Sequence, residues 1–298
     1  MFGLNKLKPV DEYAATGETE RVYHEIRQVL RVPGVNLVFR TLASFDDFFP
    51  MMWDAMRPNA ETRVFEHAGD TLRKHAVMAA QTFPLVQVFD NIDLGPSQKY
   101  QIRAALRLYH YINPKLLLFV SAVRLALRGE LAGGSGHDAG ERIERGVPQA
   151  LYPMEMIEEE QADEEVSAVF EDIKETLKLP SINSDYRTLA LWPSFLSAAW
   201  HQVKPIVERQ DFQYAATTLQ SESRNLARML TLPVPLSRER IQEMSGDLAR
   251  IESTLDSFEE LLPGLILNIA IMELDAEREF SRLNNPCPAA TRLRCGVS

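Results

Sequence analysis

Cysteine is nearly absent. The 298 residues contain two, Cys287 and Cys295, both in the last dozen positions. That excludes a disulfide framework, and without a C-x-x-C pair there is no dithiol for thioredoxin-like chemistry. Positive charge is also short, with 32 Lys and Arg against 42 Asp and Glu. The net charge of −10 excludes the broad basic face that a nucleic-acid partner needs. Long apolar runs are missing. The most apolar stretch, LLPGLILNIAIM at 261–272, is interrupted by Pro263, Gly264 and Asn268, so it reads as a buried helix and not a membrane span. The N-terminus, MFGLNKLKPVDEY, lacks the apolar core of a signal peptide. The expectation is a cytoplasmic protein with no membrane partner.

Several catalytic signatures are missing too. None of the six histidines (24, 67, 75, 110, 137 and 201) follows a Glu by three residues, so neither a carboxylate-bridged di-iron site nor HExxH is encoded. GGSGH at 133–137 lacks the final glycine of a nucleophile elbow, and no glycine-rich phosphate fingerprint follows a strand. The expectation is no metal and no cofactor.

What is present is a duplication. GVNLVFRTLASFD at 34–46 runs in step with SINSDYRTLALWP at 181–193. One interval, 147 residues, separates Pro33 from Pro180, Arg40 from Arg187, Trp53 from Trp200 and Phe65 from Phe212. Between 33–58 and 180–205 there are nine identities in 26 positions. Upstream, VYHEIRQVLRVP (22–33) matches VFEDIKETLKLP (169–180). Downstream, NPKLLLFVSAVRL (113–125) matches LPGLILNIAIMEL (262–274) at an interval of 149. Two long copies are too few for a solenoid and point to two similar halves about a pseudo-two-fold axis.

Helical periodicity runs through nearly all of it. In 95–113, Ile102, Ala105, Leu106 and Tyr109 recur at i, i+3, i+4 and i+7. The segments 64–80, 114–128, 164–178, 185–203, 212–231 and 237–258 read the same way, with prolines at their ends. No alternating run demands a sheet. The predicted fold is all-α, with repeat 1 at 1–128, a Gly- and charge-rich linker at 129–155, repeat 2 at 156–280 and a loop-like tail at 281–298. The acidic run MIEEEQADEEV (156–166) reads as a solvated helix start.

The duplication also acts as an internal control. Where both copies keep a residue, as with Asn36/Asn183, Arg40/Arg187 and Trp53/Trp200, scaffold packing and capping suffice as explanations. Where one copy is polar and the other apolar, the scaffold alone does not require polarity. Asp185 stands opposite Val38, Ser184 opposite Leu37, and Asn113 opposite Leu262. One acid from the second half and one amide from the first would form a site between the repeats. A competing reading is helix capping: Asp185 or Ser184 at one N-terminus, and Asn113–Pro114 as an Ncap–N1 pair at another.

LRVPGV (30–35), YINPKLLL (111–118) and above all NSDYRTLALWP (183–193) resemble the group I 2-haloacid dehalogenases, over nearly the whole chain. The resemblance implies two related helical halves with the active site between them. It also implies hydrolysis of D- and L-2-haloacids to 2-hydroxy acids with inversion at C2. Asp185 then matches the aspartate that activates water for direct attack, Asn113 the residue that holds this water, and Ser184 a residue lining the substrate site. Gly34, Leu37 and Leu116 stand where the family carries aromatic side chains, which implies a roomier, less aromatic pocket. The substrate carboxylate would take its bonds from N–H groups near Ser184 or from Arg40 or Arg187. The partner implied is a small halogenated carboxylic acid, with a homodimer as the assembly left open. Two other readings stand beside this one: a non-enzymatic helical protein that binds a small molecule in the same pocket, and a hydrolase with a different leaving group.

Overall fold

The structure, a computed structural model, describes residues 7–136, 141–277 and 285–287. Among the described residues, eleven α-helices carry the fold. The first five are α1 (Gly17–Leu30), α2 (Leu37–Leu42), α3 (Phe48–Ala60), α4 (Arg63–Ala80) and α5 (Pro96–Leu127). Then come α6 (Glu164–Leu177), α7 (Ser184–Leu189), α8 (Pro193–Val207), α9 (Gln210–Arg228), α10 (Arg238–Ser245) and α11 (Leu248–Ala276). Among the described residues there is no strand, only an isolated bridge between Thr62 and Arg142. None of their helices is long and apolar enough to cross a membrane.

The duplicated sequence produces duplicated local structure. On α1 the buried side chains Val22, Ile26 and Val29 lie at i, i+4 and i+7, as do Val166, Phe170 and Ile173 on α6. Both helices stop at a residue in left-handed conformation, Arg31 (φ 63°) and Lys178 (φ 55°). Trp53 Nε1 donates to Glu25 and Trp200 Nε1 to Asp172, each at 2.7 Å. Phe39 meets Trp53 edge-on at 6.3 Å, and Tyr186 meets Trp200 edge-on at 6.0 Å.

The acidic segment before each first helix is doubled as well. Glu12 accepts from the Val35 N–H and pairs with Arg27, while Glu159 accepts from the Ile182 N–H and pairs with Lys174. Arg40 Nε donates to the Val10 carbonyl at 3.2 Å and Arg187 Nε to that of Ile157 at 3.3 Å. The acidic run at 156–166 is therefore only partly a solvated helix start. Asp163 caps α6 by accepting from the Val166 N–H, but Glu158 and Glu159 lie upstream and tie that segment to α7 and α6.

The longest helices, α5 and α11, form the most extensive helix–helix contact. Every residue from Leu108 to Leu127 is buried, so this part of α5, mostly apolar, is covered on all sides. Two polar contacts between α5 and α11 exchange roles between the halves: His110 pairs with Glu273, and Arg124 pairs with Glu259. At the 149-residue interval His110 corresponds to Glu259 and Arg124 to Glu273.

Three boundary expectations are corrected. Pro114 and Pro263 lie inside α5 and α11, so 95–113 and 114–128 are one helix, and 261–272 is the middle of α11. Each proline removes one helical N–H bond; packing on all sides holds the helix through it. The expected helix at 185–203 is instead two, α7 and α8, with Pro193 opening the second. The expected helix at 237–258 divides into α10 and the start of α11, where Gly246 takes φ 67°.

The segment read as a linker is bonded to the body. Gly133 N–H donates to the Ala227 carbonyl and Ile143 N–H to that of Glu61. Gly133 has φ +69°, and a Cβ there would stand 2.0 Å from the Leu232 carbonyl oxygen, so only glycine fits. The tail at 281–298 lies outside the described residues apart from 285–287, where Asn285 Nδ2 donates to Glu66. Cys295 and His137 lie outside them too.

Candidate active site

Asp185 is the second residue of α7, with the side chain 1% exposed. Its Oδ1 accepts from Asn113 Nδ2 at 3.0 Å, across the gap between α7 and α5. Asn113 is fully buried, and its Oδ1 has no protein partner. Neither residue caps a helix end. Asn113 sits in the interior of α5, and the cap of α7 is Asn183, whose side chain makes no capping bond although Asn36 caps α2 by accepting from the Val38 N–H at 3.0 Å.

Burial pushes the Asp185 carboxyl up to about 7, against the opposing pull of the Asn113 amide and its own backbone N–H. A carboxyl with that affinity for protons can accept one near neutral pH.

Two clefts lie beside the duplicated turns before α2 and α7. The first, ≈ 430 Å³, is lined by Gly34, Asn36, Arg40, Tyr109, Ile112 and Ser184 among others. The second, ≈ 340 Å³, is lined by Leu37, Thr41, Ser181, Asn183, Phe258 and Leu261 among others. Residue by residue these are the two copies of one cleft: Ser184 against Leu37, Tyr109 against Phe258, Gly34 against Ser181. Ser184, the residue before the acid, and Tyr109 line the first cleft where the second has Leu37 and Phe258; the second has hydroxyls of its own at Thr41 and Ser181.

Of the expected site residues, the structure brings Asp185 to Asn113 and Ser184 to Gly34. Leu37 lines the second cleft, and Leu116 is fully buried in α5 and lines neither. Arg40 and Arg187 are engaged by the Val10 and Ile157 carbonyls and by Asp11 and Glu158.

Three further polar side chains escaped the sequence reading. Tyr109 Oη donates to the Ser184 carbonyl at 3.2 Å and shares a 2.6 Å bond with Thr188 Oγ1. Asn268 Nδ2 donates to Tyr186 Oη at 2.9 Å. Their counterparts in the other copy are Phe258, Phe119 and Phe39. The same polar-against-apolar comparison that exposes Asp185 would have found all three. Among the described residues no group of three or more His, Cys, Asp or Glu is arranged to hold a metal ion.

Residues 33–186 match the family model described as halocarboxylic acid dehydrogenase DehI. An (R)-2-haloacid dehalogenase from Pseudomonas putida is 32% identical over 274 residues, covering 88% of this chain and 90% of that one. A configuration-inverting 2-haloacid dehalogenase from Pseudomonas sp. (strain 113) is 30% identical, covering 76% of each chain. A solved structure of D-2-haloacid dehalogenase in complex with L-LA superposes with a TM-score of 0.85 at 30% identity, covering 91% of this chain and 96% of that one. This chain belongs to the group I 2-haloacid dehalogenase family.

Proposed function

We propose that this protein is a hydrolase of carbon–halogen bonds that converts 2-haloalkanoic acids to 2-hydroxy acids with inversion at C2, by direct attack of a water activated by Asp185. The observation that carries this reading is the buried Asp185–Asn113 pair, which the duplicated scaffold contains once. The relatives' activities, as their names state them, support the reaction class and its stereochemistry.

The chemistry follows from the free atoms. Asn113 spends its N–H on Asp185 and keeps Oδ1 unpaired, so the pair offers acceptors to a third group. Water brings two O–H donors. One can point at the Asp185 carboxylate and the other at Asn113 Oδ1, leaving a lone pair for C2. As the C–O bond forms, the C–X bond breaks, halide leaves with its electron pair, and the water proton passes to Asp185. Attack opposite the leaving group inverts C2. Held in this way, the water is already positioned for the step. With Arg40 and Arg187 engaged by Asp11 and Glu158, Ser184 and the first N–H groups of α7 are the donors for the substrate carboxylate.

The same reading has repeat 1 at 1–128 and repeat 2 at 156–280 related by a pseudo-two-fold axis, and needs no cofactor. The doubled Trp, Arg and Glu bonds support it, as does the exchange of His110–Glu273 with Arg124–Glu259. The test is halide release from each enantiomer of 2-chloropropionate by wild type and Asp185→Asn, with product chirality and a single turnover in ¹⁸O-water. Direct attack labels the first lactate formed. An unlabelled first product, or an active Asp185→Asn, overturns the reading.

A further inference from the structure

The residue after Asp185 on α7, Tyr186, reaches α11 and accepts from Asn268 Nδ2 at 2.9 Å. Both residues are fully buried. Tyr186 Oη accepts in this bond, so its own proton is free to donate. Asn268 Oδ1 is a buried acceptor with no protein partner. An unpaired acceptor in a dry core costs about 1–3 kcal/mol, so a fold that needed only packing would not retain one.

The first half provides the comparison. Its α2–α5 contact is Phe39 on Phe119, ring centroids 5.1 Å apart and edge-on. At intervals of 147 and 149 residues these two become Tyr186 and Asn268, and the contact becomes a hydrogen bond between α7 and α11. The scaffold thus closes with two phenylalanines where no base is present. Where Asp185 stands, it carries a phenol and an amide with one donor and one acceptor to spare.

We infer that Tyr186 and Asn268 are positioning residues for the reaction: the amide fixes the phenol, and together they form a water-binding polar wall behind Asp185 that holds its carboxylate in place and in its basic form. This rests on Asp185 being the base, as proposed above. Burial first, and then the nearby Asp185 carboxylate, raise the affinity of the Tyr186 phenol for its proton, against the pull of the Asn268 amide. Apart from that charge effect, a phenol O–H, or a water it orients toward the acid, would favour the carboxylate over the carboxylic acid. The direct protein donors to Asp185 are the Asn113 amide and its own N–H, so a water held by Tyr186 and Asn268 would add to them.

The test is Tyr186→Phe/Asn268→Phe, which copies the Phe39–Phe119 packing of the other half, beside the single Tyr186→Phe, which deletes one oxygen atom. Wild type and Asp185→Asn are run alongside, with kcat and KM followed against pH on a 2-haloacid. The expected result is a kcat lower by on the order of 10-fold to 100-fold, the scale at which misplacement of reacting groups acts. KM stays within about twofold, as expected when an interaction is lost only in the transition state. The midpoint of the pH–rate profile moves to higher pH in the double variant and in Tyr186→Phe. Folded variants with the wild-type kcat and midpoint, beside an inactive Asp185→Asn, overturn this inference alone. An active Asp185→Asn overturns it together with the assignment of the base.

Discussion

Asn113 Nδ2 and Asp185 Oδ1 lie 3.0 Å apart on helices from opposite halves of the chain. The residues in the same registers, Leu262 and Val38, are both buried and apolar. The scaffold therefore tolerates an apolar pair at this crossing, so Asn113→Leu can be made without inventing a new core. The variant loses the amide oxygen available to water, and kcat should fall on the order of 100-fold. It also loses the N–H that favours the ionised acid, so the pH–rate midpoint should rise. Thermal melts and pH profiles of Asn113→Leu check both expectations. A lower kcat with an unmoved midpoint would separate Asn113 from the ionisation of Asp185.

The raised affinity of Asp185 for its proton makes activity and stability depend on pH in opposite directions. As a base, Asp185 must be ionised, so kcat should rise about tenfold per pH unit below about 7 and level off above it. For stability, the folded chain keeps this proton up to about pH 7, while an unfolded chain releases it near 3.8. Between those values the native state binds more protons than the unfolded one, so its stability falls as pH rises. The full cost, roughly 4 kcal/mol, is present above pH 7. Urea denaturation from pH 4 to 8 should show Asp185→Asn gaining stability relative to wild type across that window. Parallel pH curves for the two proteins would refute the buried, protonated acid.

Gly34 sets the width of the cleft beside Ser184. Its φ is not left-handed, and a Cβ there would meet nothing closer than Glu12 Oε2 at 3.6 Å. A larger side chain is accommodated by the backbone and would project from a position that lines the cleft. Gly34→Phe should therefore fold normally and discriminate by substrate size. The expected outcome is a kcat/KM that drops at least tenfold for 2-bromohexanoate and changes little for 2-chloropropionate, since one excluded methylene shifts discrimination by about 1–3 kcal/mol. Equal losses on both substrates would mean that position 34 acts on the turn and not on the cleft.

How much of this was legible in the sequence depended on how local each determinant is. Helical class follows from the spacing of residues such as Val22, Ile26 and Val29, and the duplication from intervals that stay constant over long stretches. Asp185 and Asn113 stand out because a copy without them lies in the same chain. Pro114 and Pro263 misled because proline is a local stop signal, and only the burial of α5 and α11 on all sides overrides it. Glu159 was unreadable as a tie because its partners, Ile182 and Lys174, lie 23 and 15 residues away. Tyr186 and Asn268 look like unrelated substitutions until the fold brings Phe39 onto Phe119 and shows both to be one contact.

Asymmetry between the copies does not always mark chemistry, and Lys115 shows the limit. It lies two residues past Asn113 on α5, opposite Gly264 in the other half, and is 2% exposed. Its Nζ pairs with Glu66 Oε2 at 2.7 Å, donates to the Leu30 carbonyl at 3.1 Å and lies 3.6 Å from the centre of the Tyr111 ring. Glu66 also takes Arg31 at 3.3 Å and the Asn285 amide at 3.1 Å, and Arg31 in turn holds the Ile143 and Glu144 carbonyls. The cluster thus fastens the linker and the segment 285–287 to the first half. Each charged side chain in it already has protein partners, unlike the open acceptor of Asn113. Lys115→Met should cost roughly 3 kcal/mol, the low end for breaking a buried pair, because Arg31 still faces Glu66. Adding Glu66→Gln should deepen the loss, because it leaves the buried Arg31 guanidinium without its carboxylate. Both variants, assayed below their melting transitions, should keep the wild-type kcat and pH–rate midpoint. A shifted midpoint in Lys115→Met would instead bring this lysine into the electrostatics of Asp185.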